Sequence, residues 1–108
     1  MKLTTLYGIL LCLLVSLFSN QALAKDLFVF GADWCPACVK LKNFIKNNPQ
    51  RFEKYKVKSF DIDKHSEIKN KLKISKIPTS VIFDDDGTIL SRKIGYDSSY
   101  TQWLKENE

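Results

Sequence analysis

The sequence of 108 residues is poor in the residues that build disulfide-rich domains and metal sites. It contains three cysteines and one histidine, and Cys35 and Cys38 are its only closely spaced cysteine pair. Structural zinc sites use four ligands, and neither a second cysteine pair nor a convincing fourth ligand accompanies Cys35, Cys38 and His65. A disulfide across a two-residue gap also removes little chain entropy. The scarcity of cysteine therefore favours a chemical role for this pair.

The chain also lacks an apolar run long enough to cross a bilayer. The apolar segment at residues 6–18 has 13 residues, whereas a helix that spans the roughly 30 Å hydrocarbon core needs about 20. Lys2 precedes this segment and a small-x-small pattern at residues 22–24 follows it, as in secretory signals. We expect a signal peptide cleaved after Ala24, one domain over residues 25–108 and a periplasmic location. A retained membrane anchor is the alternative.

No cluster of one charge sign dominates the sequence. Seventeen basic and 12 acidic residues give a net charge of +5, which becomes +4 without the predicted signal peptide because Lys2 is its one charged residue. The basic residues are scattered, without the basic and aromatic pattern of nucleic-acid binding. The three aspartates at residues 84–86 lack the alternating acids and distal glutamate of calcium loops. We expect no nucleic-acid partner, no metal and no cofactor.

The central motif runs from Trp34 to Cys38 and directly follows the apolar residues 27–30. If that run is a strand and the cysteines open the next helix, Cys35 lies at a helix N-terminus. Unpaired N–H groups and the helix dipole favour an anion there. Cys35 should therefore have a lowered pKa and act as the nucleophile. Cys38, roughly one turn further, can attack a mixed disulfide on Cys35 and release the substrate, and Pro36 suits the first helical turn.

The apolar periodicity predicts an α/β domain with the element order β-α-β-α-β-β-α and no internal repeats. The first helix should end at residues 47–49, because the residue before a proline avoids the helical conformation. A hairpin loop is predicted at residues 84–87, where Asp-Gly favours a tight turn. The predicted strands cover residues 27–30, 54–62, 80–83 and 88–94. The second helix should be capped by Asp63 or Ser66 and end near Ile74, and the third should be capped by Asp97 or Ser98.

Four sequence motifs occur in the order and spacing found in thioredoxin-like proteins. They are residues 32–40, Ile77-Pro78-Thr79, Asp86-Gly87 and Gly95. Over residues 26–105 the chain resembles this family. The Ala-Asp-Trp-Cys-x-Ala-Cys segment is particularly similar to the C-terminal thioredoxin domain of the bacterial reductant conduit DsbD. The resemblance implies a minimal thioredoxin-like fold, a central four-stranded mixed sheet flanked by helices, without the usual N-terminal strand and helix.

The same resemblance implies a substrate-binding surface around the cysteines. The Ile77–Pro78 peptide bond should be cis and face them, although only about 5–6% of X–Pro bonds are cis. In the family, the backbone before this proline pairs with an extended substrate segment, and a tryptophan such as Trp34 covers one side of the site. The substrate-binding residues implied in this way are Trp34, Pro36, Ala37, Ile77, Pro78 and Thr79.

Two positions depart from the family pattern. The buried acid found six residues before the first cysteine is Val29 here, and the lysine of the neighbouring strand is replaced by Ser59. Asp33, a water molecule or a partner is then expected to handle the proton of the resolving thiol. Asp33 itself is predicted to be an exposed turn residue, and His65 is predicted to face solvent.

Two classes of function are compatible with these features. The first is a periplasmic thiol–disulfide oxidoreductase that uses Cys35 and Cys38 to exchange disulfides with protein partners. The second is a binding module whose cysteines rarely cycle. Within the first class, the resemblance to the reductant conduit and the absence of an inserted helical domain favour a reductase fed by a membrane-bound donor over a disulfide donor. We expect a monomer.

Overall fold

The computed structural model describes residues 24–108, so the predicted signal peptide lies outside the described residues except for Ala24. The elements follow the predicted order, with an additional 3-10 helix at Pro49–Phe52. The strands are β1 (Lys25–Gly31), β2 (Tyr55–Asp61), β3 (Thr79–Phe83) and β4 (Ile89–Ile94), and the helices are α1 (Pro36–Asn47), α2 (Ser66–Lys71) and α3 (Tyr100–Glu106). Within residues 24–108, none of the helices combines the length and apolarity that a membrane span requires.

The four strands form one mixed sheet in the order β2-β1-β3-β4. Strand β1 is parallel to β2 and antiparallel to β3, and β3 and β4 form an antiparallel hairpin. A continuous apolar strand suits an interior position that is covered on both faces, and Leu27 and Phe30 of β1 are fully buried. The predicted four-stranded mixed sheet of a minimal thioredoxin-like fold is confirmed.

Separate hydrophobic clusters cover the two faces of the sheet. On one face, α1 and α3 pack against β1 and β3; on the other, α2 and the segment after it pack against the same strands. The buried residues of the first cluster include Leu27, Val29, Leu41, Ile82, Tyr100 and Leu104, and those of the second are Phe30, Ile74 and Val81. Because successive residues of β1 supply both clusters, this strand fixes the helices relative to the cysteines that follow it.

Two buried tyrosine hydroxyl groups connect α3 to the sheet. The Tyr55 hydroxyl donates a hydrogen bond to the Leu104 carbonyl at 2.6 Å, and the hydroxyl groups of Tyr100 and Ser80 are hydrogen-bonded at 2.8 Å. Burial, with a smaller contribution from the negative charge of Glu108, raises the pKa of Tyr55 to about 12. Burial also raises the pKa of Tyr100 to about 12.

The start of α2 differs from the prediction. Neither Asp63 nor Ser66 caps this helix, because the N-cap is His65 and no side chain caps the helix end. The turn that leads into α2 is instead held by Asp61, the last residue of β2. Its carbonyl accepts hydrogen bonds from the N–H groups of Lys64 and His65, and its carboxylate accepts one from the N–H of Asp63.

The end of α2 and the start of α3 also need correction. Helix α2 ends at Lys71 rather than near Ile74, because Lys73 takes a left-handed conformation with φ +56. The N-cap of α3 is Ser99, so the prediction of Ser98 is wrong. Asp97 serves this helix end indirectly, since its carboxylate accepts hydrogen bonds from the Ser99 hydroxyl and N–H, which lower the pKa of Asp97.

Candidate active site

The paired cysteines lie where β1 passes into α1. Strand β1 ends at Gly31, and after a short turn Cys35 becomes the N-cap of α1 with an extended backbone, φ −98 and ψ 110. Cys35 and Cys38 form a disulfide, with their Cα atoms 5.2 Å apart. The Cys38 N–H donates a hydrogen bond to the Cys35 Sγ at 3.3 Å. Cys35 and Cys38 are 7% and 8% exposed, so the two cysteines of the disulfide are buried to the same degree.

The helix that follows Cys35 provides a favourable electrostatic environment for a thiolate. Helix α1 has 12 residues, carries proline in its first turn, has no acidic residue there and has Lys46 in its last turn. The positive end of its dipole is therefore not neutralised by its own side chains. Reduction of the disulfide would place a Cys35 thiolate at this end, next to the N–H of Cys38. The arrangement can stabilise a nucleophilic sulfur.

The loop before β3 lies against the disulfide. The Ile77–Pro78 peptide bond is cis, and Ile77 and Ala37 pack against the cluster that contains both cysteines. The Pro78 carbonyl accepts a hydrogen bond of 2.7 Å from the N–H of Gly95, which has a φ of +86. Thr79 is 2% exposed, and its hydroxyl donates to the Lys76 carbonyl. Thr79 also pairs with Phe30 of β1 and with Ile94 of β4, so little of this residue is open to a substrate.

Trp34 lies beside the disulfide with 66% of its surface exposed. Its indole Nε1–H donates a hydrogen bond of 2.9 Å to the Asp63 Oδ2. Sequence reasoning missed Asp63 as a site residue. The parallel pairing of β1 and β2 was the available clue, because the segments that follow two parallel strands emerge at the same edge of the sheet.

A pocket of about 340 Å³ lies on the Cys38 side of the site. Its lining includes Val29 and Ser59, the two departures from the family pattern, which are register partners on β1 and β2. The remaining lining is divided between buried or half-buried apolar residues and more exposed charged residues. The apolar set includes Phe30, Ile45, Phe60 and Pro78, and the charged or titratable set is Asp33, Lys42, Asp61, Lys64 and His65.

Asp33 and His65 are exposed, as predicted, and both border this pocket. The His65 ring lies edge-on to the Phe60 ring, with 5.4 Å between the ring centroids. Among residues 24–108, no three His, Cys, Asp or Glu side chains are grouped in a way that could hold a metal ion.

A glycine allows the cysteine pair to lie against the end of β1. A Cβ atom built on Gly31 would lie 3.1 Å from the Cys38 Cβ and 3.2 Å from its Sγ, closer than most side-chain contacts. Gly31 carries no site signal in the sequence, because a glycine after a strand usually indicates only a turn. The absence of a side chain at Gly31 matters because α1 brings Cys38 close to the end of β1.

Comparison with known proteins relates this chain to thioredoxin-like proteins in both sequence and structure. The profile of the thioredoxin-like domain family matches residues 20–107. A thioredoxin of Mycoplasmoides gallisepticum is 31% identical over 80 residues, covering 74% of this chain and 76% of that protein. The structure of Plasmodium falciparum thioredoxin matches with a TM-score of 0.71 at 23% identity, over 86% of this chain and 89% of that one. Oxidised mitochondrial thioredoxin 3 from Saccharomyces cerevisiae matches with a TM-score of 0.65 at 21% identity, over 86% of both chains.

Proposed function

The chain belongs to the thioredoxin-like family and is a thiol–disulfide oxidoreductase, and we propose that it acts in the bacterial periplasm as a reductase of protein disulfides. The observation that carries the proposal is the position of Cys35 at the N-cap of α1, joined to Cys38 on the buried side of the same helix. The two cysteines are equally buried, but Cys35 alone lies at the helix terminus, which is the position that stabilises an attacking thiolate.

The first step is attack by Cys35 on a substrate disulfide. The Cys35 thiolate displaces one substrate sulfur as a thiolate, and a mixed disulfide joins Cys35 to the other. The N–H of Cys38 and the positive end of α1 stabilise the attacking thiolate before reaction. Cys35 is thus the nucleophile.

The second step is attack by Cys38 on the Cys35 sulfur. The Cys38 thiol loses its proton, bonds to the Cys35 Sγ and displaces the second substrate sulfur, which regenerates the intramolecular disulfide. The Cα atoms are 5.2 Å apart, within the range that a disulfide spans. Two electrons have then passed from the cysteine pair to the substrate, and Cys38 is the resolving residue.

Substrate proteins would dock on the apolar surface around the disulfide. Trp34 is exposed and fixed by Asp63, and Pro36 is exposed at the start of α1. Ala37 and Ile77 pack against the cysteines. We assign the recognition of an extended substrate segment to these side chains, together with the backbone of Ile77, the residue before the cis proline.

The proposed reducing direction and the proposed periplasmic location are supported by different features. The leader-like residues 1–24 support export, and the similarity of the cysteine motif to the DsbD C-terminal domain supports reduction. Since the cell exterior favours oxidation, a reductase there needs an electron source, and a membrane-bound donor is our proposal. The chain would work as a monomer.

The experiment that tests this function is disulfide trapping in the exported protein. Cys38→Ser should accumulate mixed disulfides with partner proteins on non-reducing gels, because the complex on Cys35 can no longer be resolved. Cys35→Ser should trap nothing and lose activity. Cys12→Ser is the control, since Cys12 lies in the predicted leader, and it should behave as the unmodified chain.

Two outcomes would contradict the proposal. One is the absence of mixed disulfides with Cys38→Ser. The other is capture of the same partner by Cys35→Ser, which would indicate a binding module whose cysteines rarely cycle.

Export is tested separately, by mass spectrometry of the protein recovered from the periplasm. Cleavage after Ala24 predicts a chain that begins at Lys25. A chain that keeps residues 1–24 and fractionates with membranes would show a retained anchor instead.

A further inference from the structure

Strand β2 forms one edge of the sheet, and its hydrogen bonds to β1 show which of its backbone groups face outward. The N–H of Lys25 donates to the Lys54 carbonyl at 3.2 Å, and the N–H of Ile62 donates to the Gly31 carbonyl at 3.0 Å. These bonds lie at the two ends of the parallel β1–β2 ladder. Because backbone groups alternate between the two sides of a strand, the even-numbered residues of β2 face β1. The outward-facing residues are Tyr55, Val57 and Ser59.

The outward-facing backbone groups form an open row. Within residues 24–108, the sheet order places no strand beside β2 on this side, and the N–H and C=O groups of these three residues have no other backbone partner. The row ends at Asp61, whose carbonyl accepts hydrogen bonds from the N–H groups of Lys64 and His65. An edge of this kind can pair with an extended segment of another chain.

The lysines of β2 determine which segment can pair there. Residues 54–60 contain three lysines and no acidic residue. Lys54 already lies 3.7 Å from the Glu108 carboxylate, whereas the exposed Lys56 and Lys58 form no ion pair within residues 24–108. The Lys58 Nζ lies 5.7 Å from the centroid of the Phe28 ring, over the sheet face beside the edge. The free positive charges therefore flank the open row.

Like charges exclude a second copy of this chain as the occupant. Pairing of two β2 edges would bring Lys56 and Lys58 of one copy opposite the same residues of the other, and like charges across a strand pair are destabilising. A segment with carboxylates at alternate positions would instead place them next to both ammonium groups. Charge complementarity thus points to an acidic partner.

The opposite edge of the sheet, β4, lacks this combination. The Arg92 guanidinium donates a hydrogen bond to the Leu72 carbonyl at 2.7 Å. The Lys93 ammonium donates to the Ser99 hydroxyl at 2.8 Å and lies 3.9 Å from the Asp97 carboxylate. The cations of β4 are therefore engaged within the domain, and those of β2 remain available.

We propose that the open edge of β2 docks an extended segment of a partner protein by strand addition, and that this segment carries acidic residues at alternate positions, next to Lys56 and Lys58. Its intervening side chains lie on the other face of the sheet, beside Ser59 and Val57. Val57 packs against the first hydrophobic cluster, so apolar residues fit there. The interaction goes beyond the proposed function and does not depend on it, since no cysteine takes part.

Amide hydrogen exchange of the isotope-labelled full-length chain, followed by NMR, tests the docking mode. The probe is an acetylated and amidated heptapeptide of alternating valine and glutamate. In the free chain, the amides of Val57 and Ser59 should exchange rapidly and those of Lys56 and Lys58 slowly. The peptide should slow exchange at Val57 and Ser59. Unchanged exchange there at the highest peptide concentration, or slowing confined to residues near Trp34 and Ile77, would overturn the proposal.

A matched pair of variants at Ser59 tests the location by calorimetric titration with the same peptide. Ser59→Pro removes an outward-facing N–H and leaves every hydrogen bond between β1 and β2 in place, so the affinity should fall about tenfold. Ser59→Ala keeps the N–H and should bind as the unmodified chain does. Equal affinities in the two variants, with both shown to be folded by thermal unfolding, would contradict the assignment.

The charge requirement is tested with the lysines. The double variant Lys56→Gln and Lys58→Gln should weaken binding of the peptide about fivefold and reduce its dependence on salt. Lys46→Gln with Lys105→Gln is the control, since both lysines are exposed on helices, and it should leave the affinity unchanged. A counterpart peptide with lysine in place of glutamate should bind much more weakly. Equal binding of the two peptides, or an equal loss in the two double variants, would refute an acidic partner.

Discussion

At the scale of single residues, the site depends on contacts that hold exposed groups beside the disulfide. Trp34 is 66% exposed, and a side chain so accessible would sample several rotamers if nothing restrained it. Its hydrogen bond to Asp63 joins the turn before α1 to the segment after β2. The restraint presents an apolar surface in one orientation, which lowers the entropy lost when a substrate binds.

Asp63→Ala should therefore reduce activity more than stability. We expect the free energy of unfolding to change by about 0.5 kcal/mol or less, as for other surface substitutions. The rate of exchange with a protein disulfide should fall about threefold, which corresponds to about 0.7 kcal/mol. Asp85→Ala at the exposed hairpin tip is the control and should change neither quantity. An unchanged exchange rate in Asp63→Ala would show that the tryptophan needs no anchor.

At the scale of elements, the junction of β1 and α1 determines the geometry of the cysteine pair. Strand β1 is held between β2 and β3, and α1 packs over it through Leu41. Gly31 at the end of β1 lets Cys38 approach within contact distance of the backbone. The disulfide thus lies on a rigid strand–helix unit, and the position of α1 relative to the sheet sets the position of both sulfurs.

Gly31→Ala should displace Cys38 because the added Cβ would lie 3.1 Å from the Cys38 Cβ. Overpacking of this kind costs about 1–3 kcal/mol, and we expect the free energy of unfolding of the oxidised chain to fall by that amount in urea titrations. The rate of exchange with a protein disulfide should also fall, because the resolving sulfur is displaced. Gly87→Ala is the control: its φ of +84 makes alanine strained, yet nothing lies within 4 Å of the new Cβ. It should lower stability and leave the exchange rate unchanged. Equal exchange rates in both variants would rule out a steric role for Gly31.

The elements were largely predictable because their signals are local. The apolar run of β1, the proline after α1 and the Asp-Gly hairpin each depend on a few adjacent residues. The cap of α2 was not predictable, because Asp61 acts through its backbone carbonyl as well as its side chain. Asp63 and Gly31 were missed for a related reason, since their partners, Trp34 and Cys38, are brought to them by strand pairing and helix packing.

At the scale of the whole molecule, α3 closes the domain through the Tyr55 and Tyr100 hydroxyl groups. The ordinary pKa of both is 10.0, and burial raises both values to about 12 in the folded chain. Below pH 10 both groups are protonated in the folded and unfolded states, so their contribution to stability does not change with pH. Above pH 10 the unfolded chain loses protons that the folded chain retains, and stability falls.

The chain should therefore unfold progressively more easily between pH 10 and about 12, the interval between the ordinary pKa and the raised values. Urea titrations of the oxidised chain across this range measure the slope. Tyr100→Phe should make the fall in the free energy of unfolding with pH shallower, by the contribution of about one proton. The same variant should lose about 1 kcal/mol of stability at neutral pH because the Ser80 hydroxyl loses its hydrogen-bond partner. A slope unchanged by Tyr100→Phe would contradict the raised pKa of Tyr100.

The most direct test of a reducing role is the reduction potential of the Cys35–Cys38 couple, measured by equilibration in thiol buffers of defined potential. We predict a value near about −270 mV, as in thioredoxin, at which the pair donates electrons to protein disulfides. A value near about −120 mV, as in the strong periplasmic oxidant, would contradict this account and identify the chain as a disulfide donor.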